Sequence, residues 1–512
     1  MKEENNNSDK IKEGKLEQVP QNLGSCSDAD SKNETIPDNI TTLNSDAVNY
    51  NSECDESVAI ILNSLLKHVQ ANSPREVANI DDDTQLSERD LVVVTVEFVM
   101  ETALNNKWAL ARYQDSYYLF TGTHWKKTTD DELRSFLGKS AENIKIEKFL
   151  ARHYQFKENL LKQFYASAYF TPPSVDNQIT KINLSNGTYI ITKEKHYIKD
   201  FDSNDFMLYK LPFKFDINAK APKFQMYLDR VLPIKEKQLV LAEFLGYVFI
   251  KNSVLKLEKA LLLYGTGSNG KSVFFDVIMR LLGHDNVSNY SLENLTDDRS
   301  YTRALLTGKL LNYGSEISKK LNPTVFKMLV SGEPVEARMI YSKPFLLTDY
   351  ARFMFNTNVL PKDVEQNEGF YRRFLIIHFD QTINDEEKDT GLANYITDNE
   401  LSGVFNWVLD GLNRLLLNKS FTSCPEVTDA VNEFKKNSDS VHLFLEDGCY
   451  CPSDEIYAPL KKLYQIYKSY CSDSGYVACS LKTFSERIKN YGYKVERKSA
   501  GRIVYLNKLI FN

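Results

Sequence analysis

Long apolar runs are missing from this chain of 512 residues. None reaches the roughly 18 residues that crossing a bilayer needs, and the nearest stretch, Leu91–Leu104, is interrupted by Glu97 and Glu101. The first residues are polar and carry no signal-peptide pattern, so a cytoplasmic protein with no membrane partner is expected. Cysteine is scarce: seven residues, thinly spread, which suits a reducing compartment. Cys449, Cys451, Cys471 and Cys479 include no C-x₂-C pair and no interleaved histidine, so reduced thiols are expected rather than zinc. No N-K-x-D stretch for guanine is present, and no repeat of fixed period recurs.

What is present is uneven in charge. The net charge of −6 combines 19 acidic and 8 basic residues over 1–90 with 11 basic and 3 acidic residues over 456–512. A basic module at one end points to nucleic acid, or to an ordinary solvated surface. Residues 1–51 are rich in Asn, Ser, Asp, Glu and Lys and too poor in apolar groups to fold. With a short helix at Ser57–Asn72 and the linker Asp81-Asp82-Asp83, residues 1–90 read as an acidic, disordered tail and linker. The full length of 512 residues allows about three domains.

The most informative stretch is Gly265–Ser272, G-T-G-S-N-G-K-S, which fits the phosphate loop G-x-x-x-x-G-K-[ST]. Its setting agrees: Leu261–Tyr264 reads as a buried strand and Val273–Leu282 as a helix ending at Gly283. Gly265, Thr266, Gly267, Ser268, Asn269 and Gly270 would supply inward-turning backbone N–H groups. Lys271 would supply a point charge for the β/γ phosphates, and Ser272 a hydroxyl for Mg²⁺.

Upstream, the pattern predicts a helix over Leu91–Leu104, a hairpin over Ala111–Lys127, helices over Asp130–Lys139 and Ile144–Ala168, and a tight hairpin at Asn186-Gly187. The hairpin aromatics Tyr113, Tyr117, Tyr118, Phe120 and Trp125 suit a strand core better than a base-stacking face. Phe224–Ile250 reads as one or two helices. From Lys259 to Asp380 strand and helix signals alternate, as in an α/β layer with its site at the strand carboxyl ends. Lys309–Gly314 reads as a strand with Ser315-Glu316 at its end, where a carboxylate can polarise water or hold Mg²⁺. Phe353–Phe355 is a second strand, ending in Asn356-Thr357-Asn358. Arg372 and Arg373 precede the strand Phe374–Phe379, and arginine can clamp a phosphoryl group in transfer.

The tail of the chain carries helical periodicity over Ile456–Cys471, a helix from Leu481 behind the N-cap Ser480, and two strands around Ser499-Ala500-Gly501. Leu481, Phe484 and Ile488 take core spacing, leaving Lys482, Ser485 and Lys489 outward. Helix, helix and β-wing resemble a winged helix, whose second helix would enter a major groove while Lys498 and Arg502 touch phosphate. A protein-binding winged helix is the alternative.

Order and spacing together carry a family resemblance. G-x-G-x-N-G-K-S at Gly265–Ser272 is followed by K-L-L-N-Y-G-S-E at Lys309–Glu316 and S-G-E-P-V-E-A-R at Ser331–Arg338. N-T-N-V-L-P at Asn356–Pro361 and G-F-Y-R-R-F at Gly369–Phe374 complete the set. Upstream stand I-N-L-S-N-G at Ile182–Gly187 and L-A-E-F-L-G-Y at Leu241–Tyr247. This resembles superfamily 3 helicases, and within them the phage and plasmid primase-helicases related to the poxvirus primase-helicase.

The resemblance implies an α/β fold: an AAA+-like phosphate-loop core (226–384) behind a helical and α+β N-terminal domain (91–225), then a helical connector (385–455) and a winged helix (456–512). It implies ATP and Mg²⁺ as cofactors, Lys271 and Ser272 as the Walker A pair, and Glu316 as the Walker B acid, sharing the metal with Ser272. It makes Asn358 the sensor and Arg373 or Arg372 a finger acting across a ring interface. Lys343 and Phe345 would lie on a hairpin that tracks single-stranded DNA. The implied activity is a hexameric, ATP-driven helicase acting on single-stranded and forked DNA. Ser315 stands where many members of the group have a first acid. With no primase signature here, and Asp28-Ala29-Asp30 lying in the polar tail, any primase is expected to be a separate chain. The rival readings are an ATP-dependent DNA switch or loader that does not unwind, a GTPase or small-molecule kinase, and a scaffold with a dead ATPase.

Overall fold

Five short parallel strands organise the centre of the protein in a computed structural model. That structure describes residues 57–80, 85–113, 115–171, 178–315, 321–340, 343–360, 368–499 and 501–508. The expected disorder of 1–51 lies outside these residues. The strands are β1 (Ala260–Tyr264), β2 (Val287–Ser288), β3 (Leu311–Ser315), β4 (Arg352–Thr357) and β5 (Phe374–His378). They lie side by side in the order β5-β1-β4-β3-β2, every neighbour parallel. Parallel strands are covered on both faces and so read as continuous apolar runs. Alternate side chains divide between two cores: Leu261, Leu263, Tyr313, Met354 and Ile377 enter one, Ala260, Leu262, Phe353, Phe355 and Ile376 the other.

The first core is closed by the helix Lys271–Leu282 and by the pair Lys235–Tyr247 and Leu401–Asn418. These last two touch backbone to backbone. A Cβ on Gly411 would fall 2.3 Å from the Ala242 carbonyl carbon, and one on Gly246 2.6 Å from the Leu412 Cα. Glu243, fully buried between them, is satisfied by Arg414 Nε at 3.1 Å and by the Thr422 backbone N–H at 2.7 Å. Glu400 reaches back to accept from the free N–H groups of Lys223 and Phe224, at 3.1 and 2.9 Å, and so caps the helix Pro222–Val231. Residues 392–418, expected as part of a connector, are therefore built into the cover of the sheet, with Val404, Phe405, Val408 and Leu412 fully buried. The opposite face is closed by Phe326, Leu329, Phe370 and Phe434.

The N-terminal region has its own core. The helix Glu88–Asn105 is closed by a capping box at Ser87 and Asp90, and Asp130–Asn143 by one at Thr129 and Glu132. Where one helix was expected over Ile144–Ala168, Lys148–Arg152 and Tyr154–Ser167 stand, broken at His153. The expected hairpin is a three-stranded sheet, Ala109–Tyr113, Ser116–Phe120 and Trp125–Thr128. Tyr117, Tyr118, Phe120 and Trp125 are all buried in it. The helix Val58–His68, expected in the tail and linker, belongs to this core through Ile61, Leu62 and Leu65, so the N-terminal core takes in residues before 91. Asn186-Gly187 forms the expected turn, with Leu184 opposite Gly187.

The C-terminal unit runs helix Ser440–Asp447, strand Tyr450–Pro459, helices Leu460–Ser474 and Leu481–Asn490, then strands Val495–Lys498 and Gly501–Lys508. The last strand lies between the other two, antiparallel to both. Val441, Phe444 and Leu445 share its core, so in packing terms this unit begins near Ser440 and not at 456. Among the described residues no helix is long and apolar enough to cross a membrane.

The contact of Gly411 with Ala242 gives a stability test. Gly411→Ala is expected to push the two helices apart and to destabilise the fold by about 1–3 kcal/mol, read as a lower midpoint of urea unfolding. An unchanged midpoint would mean that the helices do not meet here.

Candidate nucleotide site and nucleic-acid surfaces

The loop Gly265–Gly270 leaves the carboxyl end of β1 and enters the helix Lys271–Leu282. Its backbone coils through positive φ at Gly267 (111°) and Gly270 (87°), which glycine adopts without strain, and at Ser268 (43°), a non-glycine residue in the left-handed region. A Cβ on Gly267 would meet nothing within 4 Å, whereas one on Gly265 would lie 2.2 Å from Asn269 Nδ2 and 2.6 Å from the Phe379 carbonyl oxygen. The loop is thus open at its tip and closed at its root.

Asn269, only 5% exposed, ties that root together. Its Nδ2 donates to the Phe379 carbonyl at 3.1 Å and its Oδ1 accepts from Lys271 Nζ at 3.0 Å. Lys271 Nζ also donates to the Gly265 carbonyl at 2.6 Å. Burial pulls the Lys271 pKa below the usual lysine range, because a desolvated ammonium lacks the water that favours its charge. Two groups outside the motif hold the loop from other sides. Tyr227 Oη donates to the Gly270 carbonyl at 2.9 Å, and the Ile383 N–H donates to the Ser268 carbonyl at 2.7 Å. Neither was found from sequence, since both depend on elements far along the chain and follow no motif. Ser272 is exposed in the first turn of the helix.

The strand order gathers three further positions at the same edge. Thr357 pairs with Tyr264 and Asn356 with Ser315, so the end of β4 lies between the phosphate loop and the end of β3. Asn356 accepts from the buried Tyr313 hydroxyl at 3.0 Å. Asn358, past the strand end, is exposed. Ser315 is the last described residue of β3, and Glu316 lies outside the described residues.

Arg372 and Arg373 stand at the other edge. They precede β5, whose first residue Phe374 pairs with Ala260 at the start of β1. A five-residue strand spans about 16 Å, so both lie a full strand length from the phosphate loop of their own chain. Their environments differ. The Arg373 side chain is 10% exposed and donates to Ser331 Oγ at 2.8 Å and to the Gly369 carbonyl. The Arg372 side chain is 61% exposed and meets Glu258 at 3.3 Å. Arg373 is a buried tie within the chain, and Arg372 is the outward-reaching member of the pair.

The nucleic-acid candidates fall in two places. Val335–Ala337 and Phe345–Leu347 pair antiparallel. Lys343 is exposed, as are Ile340, Phe345 and Leu346 at 64%, 39% and 63%; the tip, 341–342, lies outside the described residues. In the C-terminal unit Lys482 and Lys489 are exposed on the helix Leu481–Asn490. Ser485, expected beside them, is buried between Phe484 and Ile488 and takes no part in that surface. On the hairpin Lys498 lies 4.2 Å from the Tyr457 ring centroid and Arg502 stands opposite Arg497. Like charges in register repel, which an anionic partner would relieve.

Three known families match parts of the chain. Residues 99–233 match the family described as D5 N terminal like, 436–509 the Poxvirus D5 protein-like family, and 263–373 a family of unknown function, DUF5906. D5-like sequence therefore lies on both sides of the phosphate-loop region. Among solved structures the chain is similar to the apo structure of the NrS-1 C terminal region, at 13% identity and TM-score 0.46 over 80% of this chain and 98% of that one. A second, A-form apo structure of the same region gives 14% identity and TM-score 0.46 over the same shares.

The two bonds of Asn269 generate a test. Asn269→Ala removes both and is expected to cost about 1–2 kcal/mol, or roughly tenfold weaker binding of a fluorescent ATP analogue in equilibrium titration. Unchanged affinity would show that the loop keeps its shape without this anchor.

Proposed function

We propose that the protein is a ring-forming, ATP-dependent DNA helicase of the superfamily 3 type, serving replication of a phage, plasmid or other mobile element. One observation carries the reading: the phosphate loop, the end of β3 and the end of β4 lie side by side at one edge of the sheet, while an exposed Arg372 stands at the opposite edge. The strand order β5-β1-β4-β3-β2 supports an AAA+-like core. The D5-like segments support a replicative primase-helicase. The order helix, strand, helix, helix, strand, strand at the C-terminus supports a winged helix on DNA.

The residues fit a magnesium nucleotide, with a glycine loop open at its tip, one cation held at its root and one exposed hydroxyl in the first helical turn. Mg²⁺, held by the Ser272 hydroxyl and by Glu316 through water, would neutralise phosphate charge. Lys271 exchanges its bonds to Gly265 and Asn269 for the β/γ phosphates, gaining an anionic partner that restores the charge its burial disfavours. Glu316 orients the attacking water and takes its proton as the γ-phosphorus leaves the bridging oxygen. Asn358 holds that water and a γ-phosphate oxygen. Arg372 reaches the site of the adjoining subunit, because its own loop is a strand length away. Hydrolysis there moves the hairpin that carries Lys343 and Phe345 along single-stranded DNA.

Three outcomes test the proposal. Lys271→Ala is expected to abolish DNA-stimulated ATP hydrolysis and fork unwinding, and retained turnover would sink the reading. Arg372→Ala should lower hydrolysis by about a thousandfold or more. Mixing these two inactive variants should restore activity at about a quarter of the interfaces, by random assembly of a head-to-tail ring. No recovery on mixing would remove the trans-acting arginine.

A further inference from the structure

We infer that a basic cleft between the N-terminal sheet and the far edge of the parallel sheet is a second track for single-stranded DNA, continuous with the hairpin around Phe345. The cleft encloses about 660 Å³. Lys126, Lys127, Lys210, Arg280 and Lys309 line it, with His284, against a single carboxylate, Asp285. These cations come from four separate places: the strand Trp125–Thr128, the segment before helix Pro222–Val231, the last turn of the helix Lys271–Leu282, and the turn before β3. Folding gathers these cations around one cavity, where a polyanion would meet several of them at once. The remaining wall is mixed: Leu208, Met339 and the 44%-exposed Leu305 stand in it beside Ser185, Asn286 and Thr307. Phosphates beside lysines and bases against apolar side chains are what a single strand requires.

Continuity favours a strand over a small anion. A second cavity of about 420 Å³ opens beside the first and shares Tyr118, Leu208 and Thr307–Lys309 with it. Phe345, Leu346 and Leu347 of the hairpin also line it, with Lys181, Lys251 and Arg352 beside the carboxylates Asp205 and Asp349. The two together run from the hairpin to the basic cleft. A free phosphate needs neither the length nor the apolar side chains.

The identity of the nucleic acid rests on the helicase reading, so the test separates the two. Anisotropy of a fluorescein-labelled oligodeoxythymidylate is followed against the full chain, without nucleotide, over a range of sodium chloride. The double variant Lys127→Glu/Lys210→Glu is expected to weaken binding. It should also flatten the slope of log affinity against log salt by about 1.4, two phosphate contacts at about 0.7 each. Circular dichroism melting at the wild-type temperature shows that it is folded. Wild-type affinity and slope in this variant overturn the cleft track; if Lys343→Ala/Phe345→Ala then loses both binding and unwinding, the helicase reading stands alone. Lost binding in the cleft variant, with no unwinding by the wild-type protein, keeps the track and overturns the helicase. Sodium tripolyphosphate competing as well as unlabelled oligonucleotide, phosphate for phosphate, overturns the strand in favour of a small-anion site.

Discussion

The rest of the structure depends on the position of β4 between β1 and β3. The chain makes β3 first and then returns to lay β4 against β1, with Thr357 opposite Tyr264 and Asn356 opposite Ser315. That one insertion makes neighbours of three strand ends that are far apart in sequence. It also dictates the packing. Parallel neighbours need crossover connections, and crossovers cover both faces, so every central strand must be apolar on both sides. The two cores that divide Leu261 and Leu263 from Ala260 and Leu262 are the result. The backbone contact of Gly411 with Ala242 is how one cover sits close enough to close the first of them.

The sheet has two chemically different edges. The carboxyl edge carries the glycine loop, the buried ammonium of Lys271 and the exposed Asn358. The amino edge carries Arg372, Arg373 and Glu258, with the Arg373 guanidinium held inside by Ser331 and the Gly369 carbonyl. Chemistry that brings either of these two guanidiniums to the phosphate loop is not completed within one chain, since a strand length separates them. On the proposed reading, two copies head to tail complete it, and such an interface closes into a ring when its rotation allows.

Local signals made part of this legible from sequence. The glycine motif, the apolar run before it and the helix after it each depend on a few adjacent residues, and they stand where they were expected. The same holds for the N-cap Ser480 and the turn at Asn186-Gly187. What was not legible is set by tertiary neighbours. Asn269 fits the general motif as an arbitrary residue, and its work is set by the Phe379 carbonyl and by Lys271 Nζ on either side of it. Arg372 and Arg373 are the same residue type side by side, and the start of β5 alone decides which turns inward. The helix Leu401–Asn418 shows an apolar face, but periodicity cannot say that it meets Lys235–Tyr247 and belongs to the sheet. Ser485 was placed outward by the core spacing of Leu481, Phe484 and Ile488; standing four residues after Leu481 and three before Ile488, it shares their helix face and is buried.

The helix Lys271–Leu282 joins two of the features described. Its first residue is the buried lysine of the phosphate loop and its last turn presents Arg280 to the basic cleft. Twelve residues of α-helix make a rod of about 18 Å, packed along one side by Phe274, Val277, Ile278 and Leu281 in the first core. Beyond its end, Asn286 Nδ2 donates both to the Leu282 carbonyl at 2.7 Å and to the Lys210 carbonyl at 3.0 Å. The helix end is thereby fastened to the segment that supplies another of the cleft's cations. A packed rod transmits displacement rather than absorbing it, since interiors at this density compress little. On the proposed reading, the phosphate loop and the cleft wall therefore stand at the two ends of one helix, with no hinge between.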